Sequence, residues 1–515
     1  MKRIDSVIAL TGSLSKSEKK HFSLQVVKDN TDKDYLVIYD IIANNKIHDG
    51  EEVKNEFRRQ RPGGSFEISL QYLYEKMLDS LLILRKKKDV YYDLYQNISK
   101  ARMLYERSLF HECFEQLDVT IQQAQIYENY EILMIATKLE LEYLLRLNFP
   151  DISEQELYHK HFAQNEALKK IRKITEQNAL FNLLKYRLAY KGFTRTEKEK
   201  QDMNDLIVNE LHIAASTDSE HNFEITKNHK LFQASYLISV GEYRIALNLF
   251  KELSKLFEEN PHFWANPPIY YLYVLEGVLD SLRSVGDYDD MPYFLNKLEK
   301  LSMNSSFEFR VNISCLLFQY ELFRYLDKGD FSRCNEIIEK YQDSLFDKES
   351  WLSPMRQSEL LLYTAIVFIG NRNYKMAMRY INRMILTHNI DYLPFMRTMR
   401  LVRLIVYYEM GEFDLISYET RSIKRELSAK KDKSFLTERT ILWFLNKRNL
   451  PILKKDRDAM YEKLLPTIKS LQEDKYENQL LRIFDFTAWI ESKILKIDLA
   501  DCLTAHAEAR NQLFK

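Results

Sequence analysis

The sequence predicts an all-α protein in which most of the chain forms a stack of helical hairpins. Hydrophobic residues make up 45% of the 515 residues, which supports a large core, whereas there are only 11 glycines and 10 prolines. Such scarce turn residues favour long helices over sheets. A short turn also recurs. Four glycines begin the same local pattern: Gly241-Glu242-Tyr243, Gly286-Asp287-Tyr288, Gly329-Asp330-Phe331 and Gly411-Glu412-Phe413.

The turns are regularly spaced. They begin at residues 241, 286, 329, 372 and 411, where Arg372-Asn373-Tyr374 fills the gap with arginine in place of glycine. Glycine suits the end of a helix because it adopts the left-handed conformation without a Cβ clash. The acidic or amide residue that follows suits the start of the next helix, where it caps free N–H groups. Each turn therefore predicts two helices, with the aromatic side chain wedged between them.

Apolar side chains follow each turn at helical spacing. A small or apolar residue comes three positions after the aromatic, and a further one, apolar in all but one turn, comes four positions later. This spacing keeps both on one helical face, which we expect to be buried. The residues are Ala246 and Phe250, Met291 and Leu295, Cys334 and Ile338, Ala377 and Ile381, and Ile416 and Thr420.

This pattern resembles the tetratricopeptide repeat. That family has Gly-Asp-Tyr between its helices and a small residue seven positions before the glycine, which here is Ala234 and Ala365. The other turns depart from the family with Leu279, Leu322 and Leu404. The period of about 34 residues in the family is also shorter than the 39 to 45 residues here. The resemblance implies a right-handed superhelical stack of antiparallel helix pairs with long repeats, an architecture that hosts many unrelated roles.

An earlier copy of the turn is predicted near residue 108. Ser108 takes the place of glycine, Phe110 is the aromatic residue and Cys113 is the small one. Two further hairpins are expected between residues 125 and 228, where Gly192-Phe193 suggests a turn.

The chain is accordingly divided into an N-terminal helical cap or domain (1–95), tetratricopeptide-like repeats (96–430) and a C-terminal helical cap (431–515). Ser15 and Glu18 form a capping box at the start of a helix, and amphipathic stretches follow at 35–43, 51–59 and 65–85. This layout is similar to the leader of uncharacterised bacterial tetratricopeptide proteins. The C-terminal helices are expected to cover the apolar face of the last hairpin.

Composition sets limits on function. Lysine plus arginine equals aspartate plus glutamate at 75 each, so the formal net charge is zero. The chain therefore has no overall positive charge that would attract nucleic acid or anionic lipid. The four separated cysteines are expected to be buried thiols in a reducing compartment. The apolar run from Val7 to Leu10 is too short for a secretory signal, and no run is long enough to span a bilayer. A soluble cytoplasmic protein without membrane partners is expected.

No catalytic or metal-binding motif stands out in the sequence. Walker A, GxGxxG, GxSxG and HExxH patterns are absent. His159 and His161 would point to different sides of a helix, which favours surface residues over metal ligands. Helix dipoles explain the adjacent carboxylates Glu51-Glu52 and Asp289-Asp290. We expect no cofactor, no metal and no enzymatic activity.

Aromatic and arginine residues in the first helices are the candidate binding residues. In such a stack the first helices line the concave groove, where tyrosine and arginine side chains anchor a protein or peptide. The alternative is that the rings are core wedges and the arginines are solvated. The candidates are Tyr270, Tyr273, Arg356, Tyr363, Arg397, Arg400, Arg403 and Tyr407.

The resulting hypothesis is a scaffold or adaptor that holds a protein or peptide in its groove. The alternative is a regulator in which residues 1–95 contain a helix-turn-helix variant that binds DNA and the repeats form a sensor. Arg58, Arg59, Arg61 and the basic run 85–88 would then contact phosphates. The rival interpretation of these residues is a cap with solvated basic ends.

Overall fold

Short turns separate α-helices along the whole described chain. The computed structural model describes residues 3–27, 33–45, 49–85, 89–192, 194–215, 222–264, 268–303, 305–387, 395–429, 436–447 and 450–513. No strand occurs among these residues, which confirms the predicted all-α class. None of the described helices combines the length and the apolar character that a membrane-spanning segment requires.

The first eleven helices are α1 (Arg3–Ser13), α2 (Lys16–Val27), α3 (Asp34–Asn45), α4 (Gly50–Gln60), α5 (Phe66–Arg85), α6 (Val90–Glu106), α7 (Phe110–Ile126), α8 (Tyr130–Arg146), α9 (Glu154–Lys191), α10 (Glu197–Gln201) and α11 (Asn204–Ala215). The hairpin helices that follow are α12 (Phe223–Ser239), α13 (Tyr243–Glu259), α14 (Ile269–Val285), α15 (Met291–Ser302), α16 (Phe307–Leu326), α17 (Phe331–Lys340), α18 (Pro354–Gly370), α19 (Tyr374–Thr387), α20 (Phe395–Met410) and α21 (Phe413–Ala429). The last five are α22 (Leu436–Leu445), α23 (Lys454–Glu473), α24 (Lys475–Leu481), α25 (Phe486–Leu495) and α26 (Leu499–Leu513). Short 3-10 helices cover Pro261–Phe263 and Phe346–Trp351.

The described residues divide into two compact units. The first contains the described residues up to Ile171 together with 305–309, and the second contains the remainder. In the first unit, α1 to α5 surround a core that includes Val7, Ile38 and Phe57, and α6 to α8 share another around Cys113. The predicted limits at residues 95 and 430 stay predictions.

The predicted turns lie between helices. The four turn glycines have φ between +75° and +79°, and Ser108 and Arg372, which replace glycine, have φ of +59°. At each turn the next residue donates its N–H to the carbonyl five positions earlier, as Glu242 does to Leu237 at 2.9 Å. This bond satisfies a carbonyl that the helix end leaves free. The same backbone conformation and hydrogen bond therefore end the first helix of each of these hairpins.

Helix capping follows the prediction at some turns only. The side chain of Asp330 accepts a hydrogen bond from the backbone N–H of Arg333, and Asn373 accepts one from Met376. Glu242 makes no side-chain cap bond, so the predicted cap is wrong there. The longer glutamate side chain suits this position less well than aspartate or asparagine. Near the N-terminus, the predicted capping box is confirmed, because the Ser15 N–H donates to Glu18 at 2.7 Å and the Glu18 N–H donates to Ser15.

The predicted core face is buried. All ten residues that follow the turns at helical spacing have less than 9% of their surface exposed, as do the five residues that lie seven positions before the turns. Neighbouring helices pack against each other, for example α6 with α7, α12 with α13, and α18 with α19. The four cysteines are buried free thiols, as predicted. The repeating pattern thus identified the positions that hold the hairpins together.

Residues 125–228 depart from the prediction of two regular hairpins. A turn that the sequence did not reveal lies between α7 and α8, where Glu128 has φ of +49° and Asn129 caps α8. After α8, residues 154–191 form one helix of 38 residues. Gly192 follows this helix with φ of +80°, whereas Phe193 lies outside the described residues. The long helix is possible because its sequence contains neither glycine nor proline.

The C-terminal helices lie along the turns of the second unit. Lys475 forms an ion pair with Glu242 at 2.8 Å, and Asp498 pairs with Arg372 at 2.9 Å. Trp489 donates its indole N–H to Glu409 at 2.7 Å. These contacts join residues 470–500 to the turns at Gly241, Arg372 and Gly411. The segment predicted as an end cap therefore also reaches back to hairpins far from the last one.

Candidate functional site

A cavity of about 510 Å³ lies within the second unit. Its walls include residues of α12, α14, α16, α18 and α20, which are the helices that precede the recurring turns. Residues within 479–483, 185–192 and 195–199 complete the lining, together with Phe250 of α13 and Glu438 of α22. Ligand sites in proteins commonly enclose roughly 300–1,000 Å³, so this cavity has the size of a small molecule or a short peptide segment.

One wall of the cavity is aromatic and closely packed. Phe250 of α13 lies against Gly277 of α14, where a Cβ atom would come within 2.4 Å of the Phe250 ring. Any larger residue at position 277 would push this ring aside. Tyr320 and Phe323 of α16 also line the cavity, and their rings contact each other edge to face at 5.5 Å. These rings offer an apolar surface to a ligand.

Tyr273, a predicted binding residue, lies in this cavity. Its hydroxyl accepts a hydrogen bond from the Lys185 ammonium at 2.5 Å and is 2.9 Å from the hydroxyl of Ser235. The ammonium nitrogen also lies 4.2 Å from the centre of the Tyr273 ring. All three residues line the cavity. A lysine, a phenol and a serine therefore form one polar group on its wall.

Tyr363, Arg356 and Arg397, also predicted, line the cavity as well. Arg356 pairs with Glu276 and, at 3.3 Å, with Glu359. Burial raises the pKa of Glu359, and Arg356 opposes this effect. Arg397 pairs with Glu426 at 3.1 Å. The cavity thus brings together four of the eight predicted residues, but its arginines already bind carboxylates of the chain.

Arg400, Arg403 and Tyr407 do not line the cavity. Arg400 bonds to Glu419 and Ser422 of α21, and Arg403 pairs with Glu419 at 3.1 Å. The Arg403 guanidinium lies 5.9 Å from the centre of the Tyr407 ring. These arginines hold α20 and α21 together.

Tyr270 is 43% exposed and also lies outside the cavity lining. The Lys227 ammonium lies 4.2 Å from the centre of its ring. Tyr270 and Tyr273 are three residues apart on α14, yet only Tyr273 reaches the cavity.

Arg283 and Arg482 are cavity residues that the sequence analysis missed. Arg283 bonds to both carboxylate oxygens of Asp327 at 2.8 Å, and its guanidinium carbon lies 3.5 Å from the centre of the Phe323 ring. Burial lowers the pKa of Arg283, but the negative charge of Asp327 outweighs burial and raises the pKa well above its ordinary value. Arg482 pairs with Asp280 at 3.2 Å. These contacts keep both guanidinium groups charged in a buried place.

A sequence signal for Arg283 exists. Arg283 lies three positions before its turn glycine, where the other hairpins have Ile238, Leu326, Ile369 and Tyr408. A charged residue at a position that is otherwise hydrophobic indicates a buried ion pair or a binding role. For Arg482 the repeat offers no such reference, because it lies outside the repeated pattern.

A further missed group joins the cavity wall to the C-terminal segment. Arg195 pairs with Glu438 at 3.2 Å and with Glu477 at 2.8 Å. Burial raises the pKa of Glu477, but Arg195 and the bonds from Leu436 and Thr437 outweigh burial and lower it. This network fixes α10, α22 and α24 to one another.

Among the residues of the DNA-binding alternative, Arg58, Arg59 and Arg61 lie in the first unit. Arg58 and Arg59 are exposed at the end of α4, and Arg61 is 3.7 Å from Asp34. Lys86, Lys87 and Lys88 lie outside the described residues. His159 and His161 lie on α9, and no group of three or more potential metal ligands occurs in the part of the chain that the structure describes.

Comparison with known proteins identifies no relative. No family model, curated protein or solved structure matches this chain. The resemblance of the turns to the tetratricopeptide repeat therefore stays a prediction, and the function has to be argued from the cavity.

Proposed function

We propose that this protein is a non-enzymatic scaffold or adaptor whose second unit binds a short peptide segment in the cavity. We also propose that its hairpins form a right-handed, tetratricopeptide-like stack of antiparallel helix pairs. The repeated turn geometry and the buried positions of each hairpin support this arrangement.

One observation carries the proposal. The first helices of consecutive hairpins line a cavity of about 510 Å³, and the C-terminal segment that completes the lining contains two buried polar atoms without hydrogen-bond partners among the described residues. These atoms are Oε1 of Gln479 and Nε of Arg482. Buried polar groups are normally satisfied. Both atoms have almost no accessible surface, so a bound peptide would reach them only after the two side chains turn toward the cavity, where its backbone supplies N–H donors and carbonyl acceptors.

The cavity also has the mixed character of a peptide site. Aromatic rings of Tyr320, Phe323 and Tyr363 can contact apolar side chains, whereas the amides of Gln319 and Gln479 can bond to backbone groups. Five arginines of the lining are already paired with carboxylates, so they shape the wall without adding a large net charge. Binding by shape, rings and a few polar contacts requires no bond chemistry.

The test is retention of peptides by the purified full-length protein. A random tetrapeptide library is incubated with the protein, and the bound fraction is separated by gel filtration and identified by mass spectrometry. We expect a restricted set of peptides to be retained and to slow amide hydrogen exchange in α14 and α18 more than in α15. Failure to retain any peptide at millimolar concentration would contradict the proposal.

A further inference from the structure

The arginines and lysines of the cavity wall differ in one respect. Each arginine has a carboxylate partner, in the pairs Arg195–Glu477, Arg283–Asp327, Arg356–Glu359, Arg397–Glu426 and Arg482–Asp280. Among the described residues, Lys185 and Lys191 have none. Lys191 is exposed at the end of α9, whereas Lys185 is partly buried. Lys185 is therefore the lining cation that is partly buried and has no carboxylate partner among the described residues.

The surroundings of Lys185 provide weaker partners than a carboxylate would. Its ammonium donates one hydrogen bond to the Tyr273 hydroxyl and lies 4.2 Å from the Tyr273 ring centre and 5.9 Å from that of Phe181. An ammonium group has three donors, so two remain for a ligand. Hydrogen bonds to an ionised acceptor are roughly twice as strong as neutral ones. A ligand oxygen with negative charge would complete this site.

Tyr273 fixes the position of the ammonium. Its hydroxyl bridges Lys185 of α9 and Ser235 of α12, 2.5 Å and 2.9 Å away respectively. The ammonium group is therefore held at a defined position between α9, α12 and α14. Such preorganisation reduces the entropy that binding has to overcome.

We infer that the cavity binds ligands through a carboxylate that pairs with Lys185, with Tyr273 and Ser235 as positioning residues. The inference rests on the proposed peptide-binding function and names the chemistry of the group that enters. The carboxylate can come from the C-terminus of a peptide or from an aspartate or glutamate side chain. The aromatic rings of the cavity would then contact the adjoining apolar part of the ligand.

The test compares four tetrapeptide libraries. Two have a free C-terminal carboxylate and two have a C-terminal amide, and within each pair one library contains aspartate and glutamate while the other lacks them. We expect strong retention wherever either source of carboxylate is present. The library without any carboxylate should be retained at least about tenfold less, because a charge-assisted bond is lost. Comparison of the two intermediate libraries identifies which source the site prefers.

Substitutions assign this preference to Lys185. Lys185→Met keeps the aliphatic chain but removes the charge, and it should weaken binding of carboxylate peptides at least about tenfold while binding of uncharged peptides stays unchanged. Lys185→Arg keeps the charge and should retain the preference for carboxylate. Tyr273→Phe should weaken the preference without abolishing it. Lys255→Met removes an equivalent charge from an exposed lysine with 78% of its side chain accessible and should have no effect.

The outcomes separate this inference from the proposed function. Equal retention of all four libraries, with Lys185→Met behaving like the unmodified protein, would show peptide binding without a carboxylate site and overturn the inference alone. Loss of carboxylate preference in Lys255→Met as well would also overturn it, because the effect would then reflect overall charge. No retention of any library would overturn the proposed function together with the inference.

Discussion

The guanidinium of Arg283 donates hydrogen bonds of 2.8 Å from Nε and Nη2 to the carboxylate of Asp327, two residues before the turn glycine of the next hairpin. Nη2 also donates to the backbone carbonyl of Arg482 at 2.6 Å. This single side chain thus joins two consecutive hairpins and the C-terminal segment. It also forms part of the cavity wall, so stability and binding depend on the same group.

Removing the partner of Arg283 should be strongly destabilising. Asp327→Leu leaves a buried guanidinium without its carboxylate, and we expect the free energy of unfolding in urea to fall by about 3–5 kcal/mol. The double variant Arg283→Met/Asp327→Leu should recover most of this loss, because it leaves no buried charge. Arg333→Met at an exposed pair with Glu336 serves as the control and should leave stability nearly unchanged. A loss in Asp327→Leu no larger than in this control would contradict the account.

The C-terminal segment can be tested through two turn glycines with the same backbone conformation. Gly329 and Gly411 have φ of +75° and +78°, so alanine should cost roughly 1–2 kcal/mol at either turn. At Gly329, however, a Cβ atom would lie 2.7 Å from the backbone of Ala500, whereas at Gly411 nothing lies within 4 Å. Gly329→Ala should therefore be less stable than Gly411→Ala by at least about 1 kcal/mol. Thermal unfolding measures the stability of both variants. Equal losses of stability would show that the C-terminal segment does not pack closely against the turn at Gly329.

His506 should make stability fall at alkaline pH. Burial alone would lower its pKa, but Asp485 at 3.0 Å and Glu491 at 2.8 Å raise the pKa to about 9. Because the folded state binds the proton more tightly, protonated His506 stabilises the fold. This stabilising free energy is fully present below pH 6.5, the ordinary pKa of histidine in the unfolded chain, and it is lost as the pH rises through 9. The loss should be roughly 2–3 kcal/mol between these limits. In urea unfolding at several pH values, His506→Gln should show a flatter profile, and an unchanged profile would refute the assignment.

Arg400 should matter for stability and not for binding in the cavity. Its guanidinium bonds to Glu419, Glu426 and Ser422, and it does not line the cavity. Arg400→Met should reduce the free energy of unfolding by about 1–3 kcal/mol, since charged groups lose their hydrogen-bond partner. Calorimetric titration with a retained peptide should give an unchanged affinity. A large loss of affinity in a folded variant would place Arg400 in the binding site.

The hairpins could be predicted from the sequence because each turn repeats a local requirement. The left-handed residue, the polar residue after it and buried residues such as Ala246 and Cys334 depend on neighbours within a few positions. The turn at Glu128 was not predicted because it lacks glycine. Its sequence, Glu128-Asn129-Tyr130, nevertheless has the same asparagine and tyrosine as Arg372-Asn373-Tyr374. A pattern based on the second and third residues would have found it.

The cavity could be predicted only in part because its wall joins distant segments. Tyr273 and Tyr363 could be predicted as candidates because they lie in first helices. Which tyrosine of α14 faces the cavity, Tyr273 and not Tyr270, depends on how the helix is rotated by packing against its neighbours. Arg482 reaches Asp280 across about two hundred residues of sequence. No local pattern in a single sequence indicates such a contact.

The most direct test of peptide binding in the cavity places a large side chain in its lining. Ala189 and Ala179 are both exposed residues of α9, but only Ala189 lines the cavity. Isothermal titration of a retained tetrapeptide into Ala189→Trp and Ala179→Trp provides a matched comparison. We predict that Ala189→Trp loses measurable binding and that Ala179→Trp binds like the unmodified protein. Equal affinity of both folded variants for the peptide would show that the ligand binds elsewhere.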